Sequence, residues 1–323
     1  MDAHPSCNFR TDESIPVSHA PPPTTARIEW LRRRVAMEAR NRRSTMRGIR
    51  GLTPFRHAMR LLTSVEQYLP GGQRGRRNAA NLVLVEATFS FPDLPPAFDG
   101  FTILHLSDLH VGNHPDTTRR AIDILAGIKV DLVVLTGDSQ TAGKPTAPTV
   151  AAAIRPLLNG IHSREGALGV LGNHDGHELV SSLEAIGVRM LLNESMVIER
   201  GGQRLTFTGT DDVHNFFTPD AIQALRDSPA GFPVALVHSP ELAAIAESHG
   251  FQLYLCGHTH GGQVCLPGGR PLFTACDLHR DLVAGAWRLG RMRGYTSRGV
   301  GVGRPGMRFN CRGEVAHITL RRG

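Results

Sequence analysis

The 323-residue chain has no apolar run near the ~18–20 residues that cross a bilayer, so no transmembrane helix is expected. Nothing near its start resembles the apolar core of a cleavable secretory signal. With both missing, the expectation is a cytoplasmic protein that touches a membrane at most peripherally. Cysteine is scarce: Cys7, Cys256, Cys265, Cys276 and Cys311 are odd in number and form no CxxC pair. A disulfide framework and a zinc knuckle are therefore not indicated. Cys256 and Cys265 read as small buried side chains. No internal repeat is present.

Charge is abundant but uneven. Residues 1–77 hold 15 Arg against 6 acidic groups, a balance of +9, while the whole chain carries only +7. The remainder is therefore slightly acidic, at −2. The basic character belongs to an arm, which points to an anionic partner, either membrane or nucleic acid. Residues 1–23 read as a disordered leader. Thr25 can cap a helix bearing Ile28, Leu31, Val35 and Ala39 at helical spacing, with arginines between them. Thr53 can cap a second helix from Pro54, with Phe55, Ala58, Met59, Leu62, Val65 and Leu69 on one face. Two such helices suit a membrane surface over residues 24–77. They equally suit a hairpin packed on the domain. Residues 71–77 read as a flexible linker, which divides the chain into an arm over 1–80 and a domain over 81–323.

Beyond the linker, short apolar runs alternate with helical patterns, the signature of an α/β domain. Strands are expected at 82–91, 102–106, 131–135, 167–171, 233–237 and 253–256, with helices over 117–128, 146–158, 177–186 and 241–248. Further strands at 189–192, 196–199, 204–208 and 315–320 suggest a second sheet. Ligands of such folds bind beyond the carboxyl ends of the strands. Five of these ends carry Asp108-Leu109-His110, Gly137-Asp138, Asn173-His174-Asp175, His238 and His258-Thr259-His260. In a regular strand, alternate residues face opposite ways. A loop permitted by Gly257 would instead let His258 and His260 face one side.

Together the ends supply Asp108, His110, Asp138, Asn173, His174, His238, His258 and His260. This mixed oxygen and nitrogen set is large enough for two divalent cations, the usual apparatus for displacement at phosphorus. Imidazole and carboxylate without thiolate admit manganese, iron or zinc more readily than magnesium.

The order DLH, GD, GNHD, a lone His and GHTH resembles the calcineurin-like metallophosphoesterases. GHTHGGQ followed by Cys265-Leu266-Pro267, with Ser297-Arg298-Gly299 and Arg308-Phe309, is similar to a bacterial subgroup of metal-dependent phosphodiesterases. That subgroup includes relatives of a UDP-diacylglucosamine pyrophosphatase. The resemblance implies two stacked mixed β-sheets flanked by helices, a four-layer sandwich. It implies that Asp108, His110 and His260 bind one metal, that Asp138 bridges to a second, and that Asn173, His238 and His258 complete the second site. His174 would face the phosphate, with hydroxide supplied between the ions attacking phosphorus. Members often carry an acidic residue three positions after the aspartate of the GD motif to orient that histidine. Here the position is Thr141, which leaves Asp175 as the candidate.

His105 reads as a core residue. His114, His177 and His214 flank the motifs and are candidates to meet substrate, whereas His162, His249, His279 and His317 read as surface or structural. Asp211-Asp212 reads as a turn. The expected activity is hydrolysis of a phosphodiester, pyrophosphate or phosphomonoester, on a phosphate-containing small molecule or a lipid-linked substrate. A nucleic-acid or nucleotide phosphodiesterase is the alternative, and a non-catalytic metal-binding scaffold of the same fold is a further one.

Overall fold

The computed structural model describes residues 24–48, 71–141, 145–274, 276 and 281–323, with side chains of the first helix described as far as Asn41. The expected leader, the helix from Pro54 and His279 lie outside these residues. Helix α1 spans Thr25–Gly48 and α2 spans Gly72–Ala79. Thr24, not Thr25, closes the start of α1, its Oγ1 accepting from the Arg27 N–H at 3.2 Å.

The expected linker at 71–77 is in fact α2, which begins after Gly71. Its hold on the domain explains the difference. Gly75 lies against the Phe309 ring and Met307, where an added Cβ would come within 2.6 Å of the ring. Asn78 Nδ2 donates to the Arg308 carbonyl at 3.1 Å. Tertiary packing thus overrides a segment rich in Gly and Arg.

The strands are β1 Val83–Phe91, β2 Thr102–Leu106, β3 Lys129–Val130, β4 Leu132–Thr136, β5 His162–Ser163, β6 Ala167–Val170, β7 Val188–Met190, β8 Glu194–Arg200, β9 Gln203–Gly209, β10 Phe232–Leu236, β11 Leu253–Cys256, β12 Gly285–Leu289, β13 Met292–Thr296 and β14 Glu314–Arg322. The helices after α2 are α3 Pro115–Leu125, α4 Ala147–Asn159, α5 Glu178–Glu184, α6 Pro219–Arg226 and α7 Ala243–Ser248. One six-stranded sheet runs β1-β14-β2-β4-β6-β7 and the other β12-β13-β11-β10-β9-β8. Both are mixed, because β14 is antiparallel to β2, β12 to β13, and β8 to β9.

Strand periodicity builds the layers. Ile103, Val134, Val234, Leu236, Leu253 and Leu255 fill the space between the sheets. Leu104, Leu106, Val133 and Leu135 face α3, α4 and α5 on one outer side, while Ala235, Val237, Tyr254 and Cys256 face α6 and α7 on the other. The result is the α/β four-layer sandwich expected from the resemblance. Sheet membership departs from the reading of the sequence. The segments 189–192 and 315–320, expected in the second sheet, form β7 and β14 of the first, and β14 inserts between β1 and β2. Strands β10 and β11 belong to the second sheet. Among the described residues no helix is long and apolar enough to cross a membrane.

His105 is buried between the sheets, its Nε2 2.8 Å from Thr136 Oγ1 and its ring edge-on to Tyr295. Burial pushes its imidazole down to about 3. An unfolded histidine binds its proton near pH 6.5, so from about pH 6.5 down to 3 the unfolded chain takes up a proton the folded chain refuses. The contribution of this group to stability is full above that window and falls by about 1.4 kcal/mol per pH unit within it. His105→Gln is expected to reduce the slope of unfolding free energy between about pH 5 and 6 by that amount, read by urea titration. An unchanged slope would place the titrating proton elsewhere.

Candidate metal centre

Each motif sits where a strand gives way to a turn, and the backbone there is unusual. Asp108, His110, Asp138, His258 and His260 all have φ between 41° and 70°. Non-glycine residues adopt this left-handed region at a cost, and several of them close together mark a place where the surrounding structure holds the strain. Gly257, expected to supply the conformational freedom of the histidine loop, works by close approach instead. A Cβ there would lie 1.9 Å from Ser107 Oγ and 2.2 Å from Asp108 Oδ2. The positive φ angles fall on the histidines themselves.

Two groups of donors result. Asp108, His110 and His260 offer atoms within 4.8 Å of one another, as do Asp138, His238 and His258. His258 and His260 therefore divide between the groups, with Thr259 between them anchored to the Val283 carbonyl at 2.6 Å. In the first group His110 Nε2 and His260 Nε2 are 3.1 Å apart, and Asp108 Oδ1 lies 3.5 Å from His260 Nε2. Asp108 Oδ2 accepts from Ser107 Oγ at 2.6 Å and from the His258 N–H at 2.9 Å. Its Oδ1 is buried with no hydrogen-bond donor among the described residues.

In the second group His238 Nε2 stands 3.1 Å from His258 Nδ1, and Asn173 Oδ1 lies 3.0 Å and 2.9 Å from those two atoms. Asp138 Oδ2 is 3.4 Å from His238 Nε2 and 3.6 Å from His110 Nε2, so a single carboxylate oxygen faces both groups.

The rings are oriented from behind. His110 Nδ1 lies 3.0 Å from the Gln140 carbonyl and 3.0 Å from Thr141 Oγ1, and His238 Nδ1 lies 2.8 Å from the Thr136 carbonyl. A carbonyl on Nδ1 fixes that nitrogen as the donor and leaves the Nε2 lone pair free for a cation. Burial pushes His110 to about 4 and His258 to about 3, and burial with the His110 and Arg308 charges holds His260 well below the usual range. Each shift favours the neutral imidazole that a metal ligand requires.

His238 and Asp138 go the other way. Burial alone would lower the histidine and raise the acid, but their mutual attraction and hydrogen bond hold His238 well above, and Asp138 well below, their ordinary values. With His238 protonated the pair carries no net charge, and a divalent cation would take the place of that proton beside the Asp138 carboxylate. The orphaned carboxylate oxygen, the converging nitrogens and the absence of thiolate fit divalent metals.

His174 lies at the half-exposed edge. Its N–H donates to Asp138 Oδ1 at 2.8 Å, and its ring is edge-on to His110 with centroids 5.4 Å apart. Asp175 does not serve as its orienting partner. The carboxylate accepts from the Gln140 and Gly172 N–H groups, each at 2.8 Å, and so closes the loop rather than reaching the ring.

Of the flanking histidines, His214 stacks on His258 with centroids 4.0 Å apart and lies 3.3 Å from Glu241. His114 caps α3, accepting from the Asp116 N–H, and His177 is held by Glu38 at 2.8 Å. Asp211, read as a turn residue, is buried against Arg34 and Trp30. Arg308 is fully buried, donating to the carbonyls of Arg298 and Gly301 at 2.6 Å and 2.7 Å. Only the Arg308-Phe309 pair of the subgroup resemblance hinted at that role.

Two stacked mixed sheets whose strand ends gather two carboxylate and imidazole groups define a metal-dependent phosphoesterase. The calcineurin-like phosphoesterase family model matches residues 101–262, and the chain belongs to that family, a phosphoester hydrolase with a dinuclear metal requirement. Among its relatives is the uncharacterized metallophosphoesterase YkuE of Bacillus subtilis (strain 168). The two are 31% identical over 245 residues, covering 73% of this chain and 84% of the relative. The phosphodiesterase YaeI of Escherichia coli (strain K12) is 31% identical over 231 residues, covering 68% and 82%.

Proposed function

We propose that this protein hydrolyses a phosphodiester, pyrophosphate or phosphomonoester bond. One cation would be held by Asp108, His110 and His260, and a second by Asn173, His238 and His258, with Asp138 shared. The observation that carries this reading is Asp138 Oδ2, which faces His110 Nε2 and His238 Nε2 together. When bound, divalent cations neutralise phosphate oxygens and lower the pKa of a coordinated water. The chain supplies the rest. Asp108 and Asp138 provide the anionic charge, and the carbonyls of Gln140 and Thr136 keep the His110 and His238 rings turned inward. A ring nitrogen of His174, at the open edge, carries a proton to the leaving oxygen.

Hydrolysis of bis(p-nitrophenyl) phosphate with added manganese tests this. On a diester with an alkyl leaving group, which departs poorly without a proton, His174→Ala is expected to lower turnover by about 10²–10⁴-fold with metal content intact. A rate unchanged by that substitution would remove His174 from the chemistry. His258→Ala and His260→Ala are each expected to keep one ion per chain but from different groups, read by metal analysis after dialysis. Loss of both ions from either variant would show that the two groups do not bind separately.

The substrate reading extends to a lipid-linked phosphate. Ile28, Leu31 and Val35 stand exposed on α1 at 42–43% each, with Arg32 and Arg40 exposed beside them. An apolar stripe flanked by cations suits an anionic membrane surface. Flotation with phosphatidylglycerol vesicles is expected to carry the wild-type chain and to leave the Ile28→Asp, Leu31→Asp, Val35→Asp triple variant at the bottom. Equal flotation would exclude this face. Binding to single-stranded DNA with a steep salt dependence would favour a nucleic-acid substrate instead.

A further inference from the structure

Helix α1 lies before the segment matched to the family, in the basic arm whose sequence suits a membrane surface and packing on the domain equally. Its inner face is engaged with the two loops that border the metal centre. Arg34, 1% exposed, donates through Nη2 to the Asp175 carbonyl at 2.6 Å and through Nη1 to Asp211 Oδ1. Its guanidinium also lies over the Phe216 ring, 3.3 Å from the centroid.

One turn later Glu38 accepts from the His177 N–H at 2.8 Å, and its Oε2 lies 2.8 Å from His177 Nδ1. Trp30 Nε1 donates to Asp211 Oδ2 at 2.8 Å, and Asn41 Nδ2 to the Asn215 carbonyl at 3.1 Å. Asn215 Nδ2 in turn donates to the Asn173 carbonyl at 3.1 Å. The far end of α1 is tied elsewhere, Arg27 meeting Glu184 and Glu194 at 2.7 Å each.

We propose that α1 is a strap across the 173–177 and 211–216 loops, and that Arg34 and Glu38 are positioning residues for Asn173 and His174. The inference rests on the hydrolytic reading of the site. The loop that carries both residues has its inner side fixed by Asp175 on the Gln140 and Gly172 N–H groups. Its outer side is fixed by α1. A hydrogen bond from a buried guanidinium to a loop carbonyl is strong and directional, and a carboxylate on a backbone N–H holds the next turn. Small displacements of a positioned group cost rate steeply, which gives such a strap its leverage.

The test uses the full chain and two readouts, amide hydrogen exchange over residues 173–177 and steady-state hydrolysis of the aryl diester. Glu38→Ala is expected to speed exchange at His177 and its neighbours by about tenfold. It should also lower kcat by about tenfold with KM nearly constant. Glu38→Gln, whose amide oxygen still accepts from the His177 N–H, is expected to recover most of both. Arg27→Met, which loosens only the far end, is expected to lower Tm while leaving kcat and loop exchange as in wild type.

Loop exchange and kcat unchanged in Glu38→Ala would overturn the proposal. So would an Arg27→Met variant that reproduces the Glu38→Ala effects, which would reduce α1 to general stability. Should the wild type hydrolyse nothing, the hydrolytic reading fails by itself, and hydrogen exchange still judges the strap.

Discussion

Asp138→Asn is expected to lower diester hydrolysis by about 10³-fold or more, the scale of losing one preorganised electrostatic group, and to reduce bound metal below two ions per chain. The substitution keeps size and one oxygen, so the fold should tolerate it. It removes the charge that offsets two cations, and it places an amide where Oδ2 faces His110 and His238 at 3.6 Å and 3.4 Å. The His238 ring, now raised by that anion, would return toward neutrality because burial alone lowers it. Turnover by stopped assay and metal content by mass spectrometry check the expectation together. Wild-type turnover with two ions retained would show that Asp138 is not shared.

Arg308→Met is expected to cost at least about 3 kcal/mol of stability, the range for stripping one partner from a buried charged network. The Arg308 guanidinium donates to the carbonyls of His260, Arg298, Gly299 and Gly301, gathering the histidine loop and the 298–301 turn around one group. The Arg308 backbone N–H, which the substitution keeps, donates to the Gly75 carbonyl and seats α2. Methionine fills much of the volume but satisfies none of the carbonyls. Urea unfolding measures the loss, and metal titration should show the Asp108, His110 and His260 group weakened before the other. Unchanged stability would mean that water replaces the guanidinium without penalty.

The candidate metal cluster was legible because its chemistry sits in contiguous short motifs. Asp108, His110, Asp138, Asn173, His238, His258 and His260 each follow an apolar run, and the strand ends bring them together. The support around them was not legible. Arg34 and Glu38 look like any charged residues on an amphipathic helix, and the Asp211 partner lies 177 residues further along the chain. Strands β12 and β13 went unread because arginines interrupt their apolar pattern. Gly294 is explained only by the Trp287 ring, which would lie 2.2 Å from an added Cβ. Sheet membership likewise depends on pairings far apart in sequence, such as β14 between β1 and β2. Asp175 shows the opposite error: its position beside His174 suggested a role that two backbone N–H groups had already taken.

The strand ends have one more consequence, because they come from both sheets. Asp108, His110 and Asp138 extend from β2 and β4 of the first sheet, while His238, His258 and His260 extend from β10 and β11 of the second. Each donor group therefore joins residues from the two layers. A cation held by either group would rivet the two layers together. It would oppose the sliding or parting of the sheets and add to stability by mass action, because the unfolded chain holds no such cage. Chelation would then loosen the joint between layers as well as silence the chemistry, beginning at the rim where the strands end.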